Sequence, residues 1–147
     1  MLSIKPEIRP ARREDIDALC RICSEEMGYP CARELVEAKW AGLDPSREAV
    51  FVAVLEDSGA VGYIHVERYD VLYFETMANI LGLAVQSDFQ RNGIGKALLF
   101  QAEAWAKEHG IRLMRLNSGS SRKGAHEFYR RQGYVQEKEQ LRFTKEV

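Results

Sequence analysis

A chain of 147 residues, 46% apolar and 29% charged, has room for a single domain over residues 1–147 with a real core, and its composition is that of an ordinary globular protein. Its net charge of -1 argues against a broad polyanion-binding surface. No apolar stretch reaches membrane-spanning length, and Met1-Leu2-Ser3-Ile4-Lys5-Pro6 has no secretory core, so the expectation is a cytoplasmic protein with neither nucleic acid nor membrane as partner.

Ile8-Arg9-Pro10-Ala11 reads as a first strand, with Pro10 suited to an edge. Glu14 and Asp15 fall in a first helical turn, where negative charge is favourable. Ile16, Leu19, Cys20, Cys23 and Met27 then recur at helical spacing until Gly28-Tyr29-Pro30. A second helix is expected from about Arg33 to Leu43, closed by Asp44-Pro45-Ser46. The cysteines number three, an odd count without a secretion signal, which argues against a disulfide framework. Cys20-Arg21-Ile22-Cys23 is a C-x-x-C, but it lies within the helical pattern and no second ligand pair accompanies it. Small core residues are the better reading, and no metal site is expected.

Val50 to Leu55 and Val61 to Val66 are β-prone runs joined by Asp57-Ser58-Gly59, a hairpin signature. Tyr69 to Met77 settles on neither period. Asn79 to Val85 is a short apolar run of buried-strand type. Within it, Gly82 marks either a bulge or a tolerated glycine. Asp88 marks a turn. After Gln90-Arg91-Asn92-Gly93, apolar residues fall at 94, 97, 98, 99, 102, 105 and 106, the stripe of a helix that stops at Gly110. Arg112 to Asn117 is a strand, Ser118 to Ser121 a loop, and Gly124 to Gln132 a helix ended by Gly133. Tyr134-Val135 and Leu141 to Lys145 read as terminal strands. The order βααβββαβαββ is mixed, a meander followed by an α/β crossover.

The strand, glycine loop and helix around residues 79–108 are the most informative stretch. The first N–H groups of a helix lack internal partners, and the helix dipole adds partial positive charge. Gly93 and Gly95 permit close approach of a phosphate, and Arg91 and Lys96 add charge. A tight turn alone would also use these glycines. Substituting either one with Val is expected to harm ligand binding more than stability. A Walker loop is excluded, because Lys96 is followed by Ala97 and position 90 is Gln. A dinucleotide fingerprint is excluded, because position 98 is Leu where a third glycine is needed.

Leu83-Ala84-Val85 with Gln90-Arg91-Asn92-Gly93-Ile94-Gly95-Lys96-Ala97-Leu98 resembles the acyl-CoA motif of the Gcn5-related N-acetyltransferase (GNAT) superfamily. The element order is also that family's. A second likeness is the helix ending Phe128-Tyr129 … Gly133-Tyr134, an F-Y-x-x-x-G-[FY] motif. The pattern R-x-x-A-H-x-F-Y from Arg122, with Leu141-Arg142-Phe143-Thr144-Lys145, looks like the branch of aminoalkylphosphonate and aminoglycoside acetyltransferases.

The resemblance implies an α+β fold with a mostly antiparallel sheet, splayed between strands 4 and 5 and flanked by about four helices. It implies transfer of an acetyl group from acetyl-CoA to a primary amine of a small molecule or peptide by direct attack; the alternative is an acyl-CoA-binding module without catalysis. A homodimer is left open. The residues implied in cofactor binding are Leu83, Ala84, Val85, Gln90, Arg91, Asn92, Gly93, Ile94, Gly95, Lys96, Asn117, Arg122 and Tyr129. Arg122 stands where many relatives carry an Asn. A backbone N–H near Val85 would polarise the thioester, and Tyr129 would serve as acid toward the thiolate. Many relatives place a basic Glu near the position of Asn79. Glu75 is therefore the first candidate for the base, with His65, Asp70 and Glu67 behind it. Tyr69, Tyr73 and Phe74 either line an acceptor pocket or cap the sheet.

Overall fold

The computed structural model describes residues 5–147. Two stretches are each compact in themselves, the residues up to Leu116 and those from Asn117.

The first holds a five-stranded sheet in the order β1-β2-β3-β4-β5, formed by Glu7–Pro10, Glu48–Leu55, Gly59–Val71, Phe74–Val85 and Met114–Leu116. The first four strands are antiparallel neighbours, and β4 and β5 are parallel. Helices α1 (Ile16–Glu26) and α2 (Arg33–Ala41) follow β1, and α3 (Ile94–Glu108) makes the crossover from β4 to β5. Pro10 ends an edge strand, where its missing N–H leaves no ladder bond unmade.

Side chains alternate across each strand, and the register shows which share a face. Val52 lies opposite Tyr63, and Tyr63 opposite Ala84. Leu19 of α1 packs on this face against Val52 and Ala60, with Ala18, Val36, Val50, Val54 and Tyr63 around them. The other face carries α3: a side chain at Gly62 would lie 3.2 Å from Leu98 Cδ1. Ile64, Val66, Ile94, Leu98 and Leu99 are fully buried.

Arg9 and Asp15 join β1 to the turn before α1. Their guanidinium–carboxylate contacts are 2.7 and 3.0 Å, and the Arg12 N–H donates to Asp15 at 2.7 Å. Both side chains are largely buried. Burial alone would raise the Asp15 pKa, but the Arg9 bonds, the Arg12 N–H and the Arg9 charge outweigh it and hold the carboxyl below its ordinary value. Asp15→Asn would leave the largely buried Arg9 guanidinium with only the exposed Glu14 carboxylate at 4.0 Å and is expected to lower stability by about 3 kcal/mol. A carboxyl depressed in the folded state stabilises fully above its unfolded pKa, and that contribution fades as pH falls through the folded value. Urea midpoints from pH 7 downward should therefore converge for wild type and variant in acid.

Three expectations are corrected. Tyr69 to Met77 is regular: β3 and β4 form one long hairpin turning at Leu72-Tyr73. Its tip is exposed at Leu72, Tyr73 and Phe74, so no buried face imposes a period there. The strand expected over 112–117 is only three residues long. Residues 134–147 form no strand. The alternation at 141–145 is strand-like, but a strand needs a ladder, and the sheet ends at β5. Val135, Leu141 and Phe143 are exposed instead. The Tyr134 N–H donates to Tyr129 O and so belongs to the end of a helix.

Candidate active site

The splay expected between strands 4 and 5 is present. Pairing of β4 with β5 stops at Ile80 and Leu116, whereas β4 continues five residues to Val85. From Leu81 to Val85 the edge of β4 facing away from β3 has no strand partner among the described residues. A bulge precedes this open edge: His65 pairs with Gly82 and Val66 with Ile80, so Leu81 is skipped and half-exposed. Gly82 also has a local reason to lack a side chain, since a Cβ there would sit 2.5 Å from the Tyr63 hydroxyl.

A short 3₁₀ turn, Ser87–Phe89, leads from β4 into the glycine loop. Glu26 at the end of α1 accepts from the Ser87 N–H at 3.1 Å and from its hydroxyl at 3.0 Å. The Gln90 amide donates to Val85 O at 2.9 Å, and the Asn92 amide donates to Phe89 O and Gln90 O at 3.1 Å. Gln90 and Asn92 thus brace the loop with their own amide donors. Arg91 has φ +66 and Gly93 φ +79. A left-handed arginine is uncommon and costs about 1–2 kcal/mol, a strain that clusters at functional sites. Glycine at 93 avoids the cost.

These two turns aim the chain into α3. Its first satisfied N–H is that of Ala97, bonded to Gly93 O at 3.0 Å. The N–H groups of Gly93, Ile94, Gly95 and Lys96 have no acceptor among the described residues. The side chains of Arg91 and Lys96 are exposed and make no ion pair among them. Unbonded donors, a positive helix end and two cations suit a diphosphate. Gly93 is also strained for any side chain, so Gly93→Val should lower stability as well as binding, whereas the expectation from sequence is a loss of binding far larger than any loss of stability.

On the α1 face of the sheet lies a polar row. Glu48, His65 and Glu67, Asn79 and Arg115 follow one another across β2, β3, β4 and β5 by register. His65 Nε2 and Glu48 Oε1 are 2.8 Å apart, and the Asp44 N–H also donates to Glu48. Burial would raise the Glu48 pKa; the Asp44 N–H and His65 outweigh it and hold it low. Asn79 is buried, donates to Glu67 at 2.8 Å, and accepts from Arg115 at 2.8 Å. The Arg115 guanidinium lies 4.3 Å from the Tyr69 ring centre. Glu75 instead meets Arg112 at 2.6 Å near the hairpin end of β4. Asp70 is held low by Thr76, with Arg68 and Arg47 adding to it.

The three cysteines are free and half-buried. Cys20 Sγ donates to Cys31 O at 2.8 Å, and burial raises the Cys23 thiol. No group of three His, Cys, Asp or Glu among the described residues is placed to hold a metal. No helix among them is long and apolar enough to cross a membrane.

In the C-terminal unit, α4 spans Lys123–Arg131, starting one residue before expectation. Arg122 precedes it, with its N–H on Gly119 O at 3.0 Å; His126 Nε2 is 2.8 Å from the same carbonyl. The end of α4 explains the spacing of its motif. Tyr134 N donates to Tyr129 O and Gly133 N to Arg130 O, with Gly133 at φ +92, the bond pair of a Schellman cap. That cap brings the residues five apart together, and the rings of Tyr129 and Tyr134 are 6.0 Å apart. Burial raises the Tyr129 pKa, and the charge of Arg122 offsets part of the rise. Tyr129 therefore keeps its proton at neutral pH. Asn117 lies in the loop before α4 and is exposed.

The acetyltransferase (GNAT) family profile matches residues 16–134, across the open strand edge, the loop, α3 and all of α4. The chain belongs to the GNAT family. Acetyl-CoA is accordingly its co-substrate, and it is of the acetyl-CoA-dependent N-acetyltransferase class. It is 31% identical over 144 residues to the aminoalkylphosphonate N-acetyltransferase of Salmonella typhimurium, covering 95% of this chain and 90% of that protein. It is 29% identical over 139 residues to an aminoglycoside N(6')-acetyltransferase type 1 of Stenotrophomonas maltophilia, covering 91% and 89%. The fold is that of the aminoglycoside N-acetyltransferase AAC(6')-Iy solved with CoA, at TM-score 0.84 and 16% identity over 99% and 98% of the two chains. It is equally that of a transcriptional regulator from Bacillus halodurans C-125, at TM-score 0.84 and 23% identity over 95% and 99%.

Proposed function

We propose that this GNAT protein moves an acetyl group from acetyl-CoA to a primary amine of a small molecule by direct attack. The observation that carries the reading is the run of N–H groups from Gly93 to Lys96 with no acceptor among the described residues, following a β4 edge with no strand partner among them. In this reading the loop holds the pyrophosphate, with Arg91 and Lys96 neutralising its charge. The open edge from Leu83 to Val85 receives the pantetheine arm, and an N–H near Val85 polarises the thioester carbonyl. Tyr129 gives the departing sulfur a proton, and Asn117 and Arg122 belong to the cofactor's surroundings. The family match runs through both compact units, which supports reading residues 1–147 as one acyltransferase domain. Intracellular acetyl-CoA makes the cytoplasm the natural place of action.

The full-length relatives point to small amines, an aminoalkylphosphonate or an aminoglycoside, more than to a peptide. Thiol release from acetyl-CoA would be followed with aminomethylphosphonate, neamine and a lysine-containing peptide. Release that depends on one of the small amines is the expected result. Release only with the peptide would move the acceptor class. Release with none, despite bound cofactor, would make the chain an acyl-CoA-binding module.

A further inference from the structure

The polar row raises a chemical problem that the position of Asn79 makes acute. An amine reaches the site mainly as ammonium at neutral pH and must lose a proton before it attacks. Asn79 has no basic site for that proton. Of the carboxylates near β3 and β4, Glu48 is matched by His65 and a backbone N–H, Glu75 by Arg112, and Asp70 by Thr76, Arg68 and Arg47. Glu67 differs from all three. Its direct partner is the neutral amide of Asn79, on Oε2, and it is only half-buried. Its Oε1 has no partner among the described residues.

We propose that Glu67, which faces Asn79 from β3, is the general base. The proposal rests on the acetyl-transfer reading. The bulge at Leu81 sets this pairing: without it Glu67 would face Ile80, and with it Glu67 faces Asn79. Arg115 donates to Asn79 Oδ1, which leaves the Asn79 NH₂ to turn toward Glu67. Asn79 and Arg115 are thus positioning residues that hold Glu67 Oε2 and leave Oε1 for the amine. In the reaction, Oε1 takes one proton from the ammonium. The nitrogen lone pair bonds to the acetyl carbon, and the C–S bond breaks with its electron pair on sulfur. The second proton lost from nitrogen balances the thiolate as thiol, and Glu67 later returns its proton to water. The charged and titratable groups around Glu67 are Glu48 opposite on β2, His65 and Tyr69 on β3, Arg115 from β5, and farther along β4 the Glu75–Arg112 pair.

The test compares wild type, Glu67→Gln and Glu67→Asp on whichever of aminomethylphosphonate, neamine and the lysine-containing peptide wild type acetylates fastest. Glu67→Gln keeps the size of the side chain and an acceptor for Asn79, so acetyl-CoA affinity should not change. Its kcat/KM should fall about 10²-fold at pH 7, and the deficit should shrink by up to tenfold per pH unit toward the pKa of the amine, where water supplies the free base. Glu67→Asp should recover part of the rate. An unchanged kcat/KM, or a loss that is the same at every pH and is not eased by Asp, overturns the role of Glu67 while leaving acetyl transfer in place. A wild-type enzyme that binds no acetyl-CoA or acetylates none of the amines overturns both.

Discussion

Tyr129→Phe should lower kcat by roughly 10²–10⁴-fold, the usual contribution of a positioned general acid. The substitution removes one oxygen. The Tyr129 hydroxyl bonds no described residue, so its loss leaves no buried group without a partner. The Schellman bonds of α4 use backbone atoms alone, and the ring contacts with Phe128 and Tyr134 survive in phenylalanine. Melting temperature and acetyl-CoA affinity should stay near wild type. Because burial raises the Tyr129 pKa, the basic limb of the wild-type rate profile should lie above the ordinary phenol value of about 10. That limb should vanish in the variant. Single-turnover kinetics with the acceptor amine would measure it. Full kcat in Tyr129→Phe would make this residue the partner of Tyr134 in the helix cap and nothing more.

Gly95→Val should weaken acetyl-CoA binding by roughly 10²–10⁴-fold, the loss of about two charge-assisted hydrogen bonds. Gly95 is the second residue of α3, with ordinary helical backbone and an N–H that no described residue accepts. Valine is no worse a helix former than glycine, so stability should change by less than about 1 kcal/mol. What it adds is bulk at the proposed diphosphate site. Thermal melts beside binding curves separate the two effects. Normal CoA affinity in a variant that melts early would make the glycine structural. Gly93→Val tests this less cleanly, because its left-handed backbone strains any β-branched side chain.

The parts of the site that were legible in sequence are those built from contiguous residues. A buried strand, two loop glycines and an amphipathic stripe specify β4, the loop and α3 through local rules of burial and helix starts. The Phe128 to Tyr134 motif was likewise readable, because a Schellman cap is a six-residue device. What was hidden depends on register. Glu67 faces Asn79 only because one residue, Leu81, is skipped, and nothing in the composition of Asn79 to Val85 says where the bulge falls. Glu75 ranked ahead of Glu67 in sequence, and only the structure shows Arg112, thirty-seven residues away, engaging it. The Arg9–Asp15 pair was missed for the same reason: Asp15 reads as a helix-start charge, and only the packing of β1 against that turn buries it. The tip of the hairpin past Tyr69 is exposed at Leu72, Tyr73 and Phe74, so it carries no burial period to read. The alternation at 141–145 carries one, but residues 141–145 form no strand.

The central claim is that the loop from Gln90 to Lys96 is built for the diphosphate of coenzyme A. Isothermal titration of the full chain with acetyl-CoA, ATP and NAD tests it directly. The Walker serine or threonine and the third dinucleotide glycine are both missing, while among the described residues the N–H groups of Gly93 to Lys96 have no acceptor and β4 from Leu81 to Val85 has no partner on its far edge. Saturable 1:1 binding of acetyl-CoA, with no heat from ATP or NAD at the same concentrations, is the predicted result; binding of ATP or NAD without acetyl-CoA would contradict it.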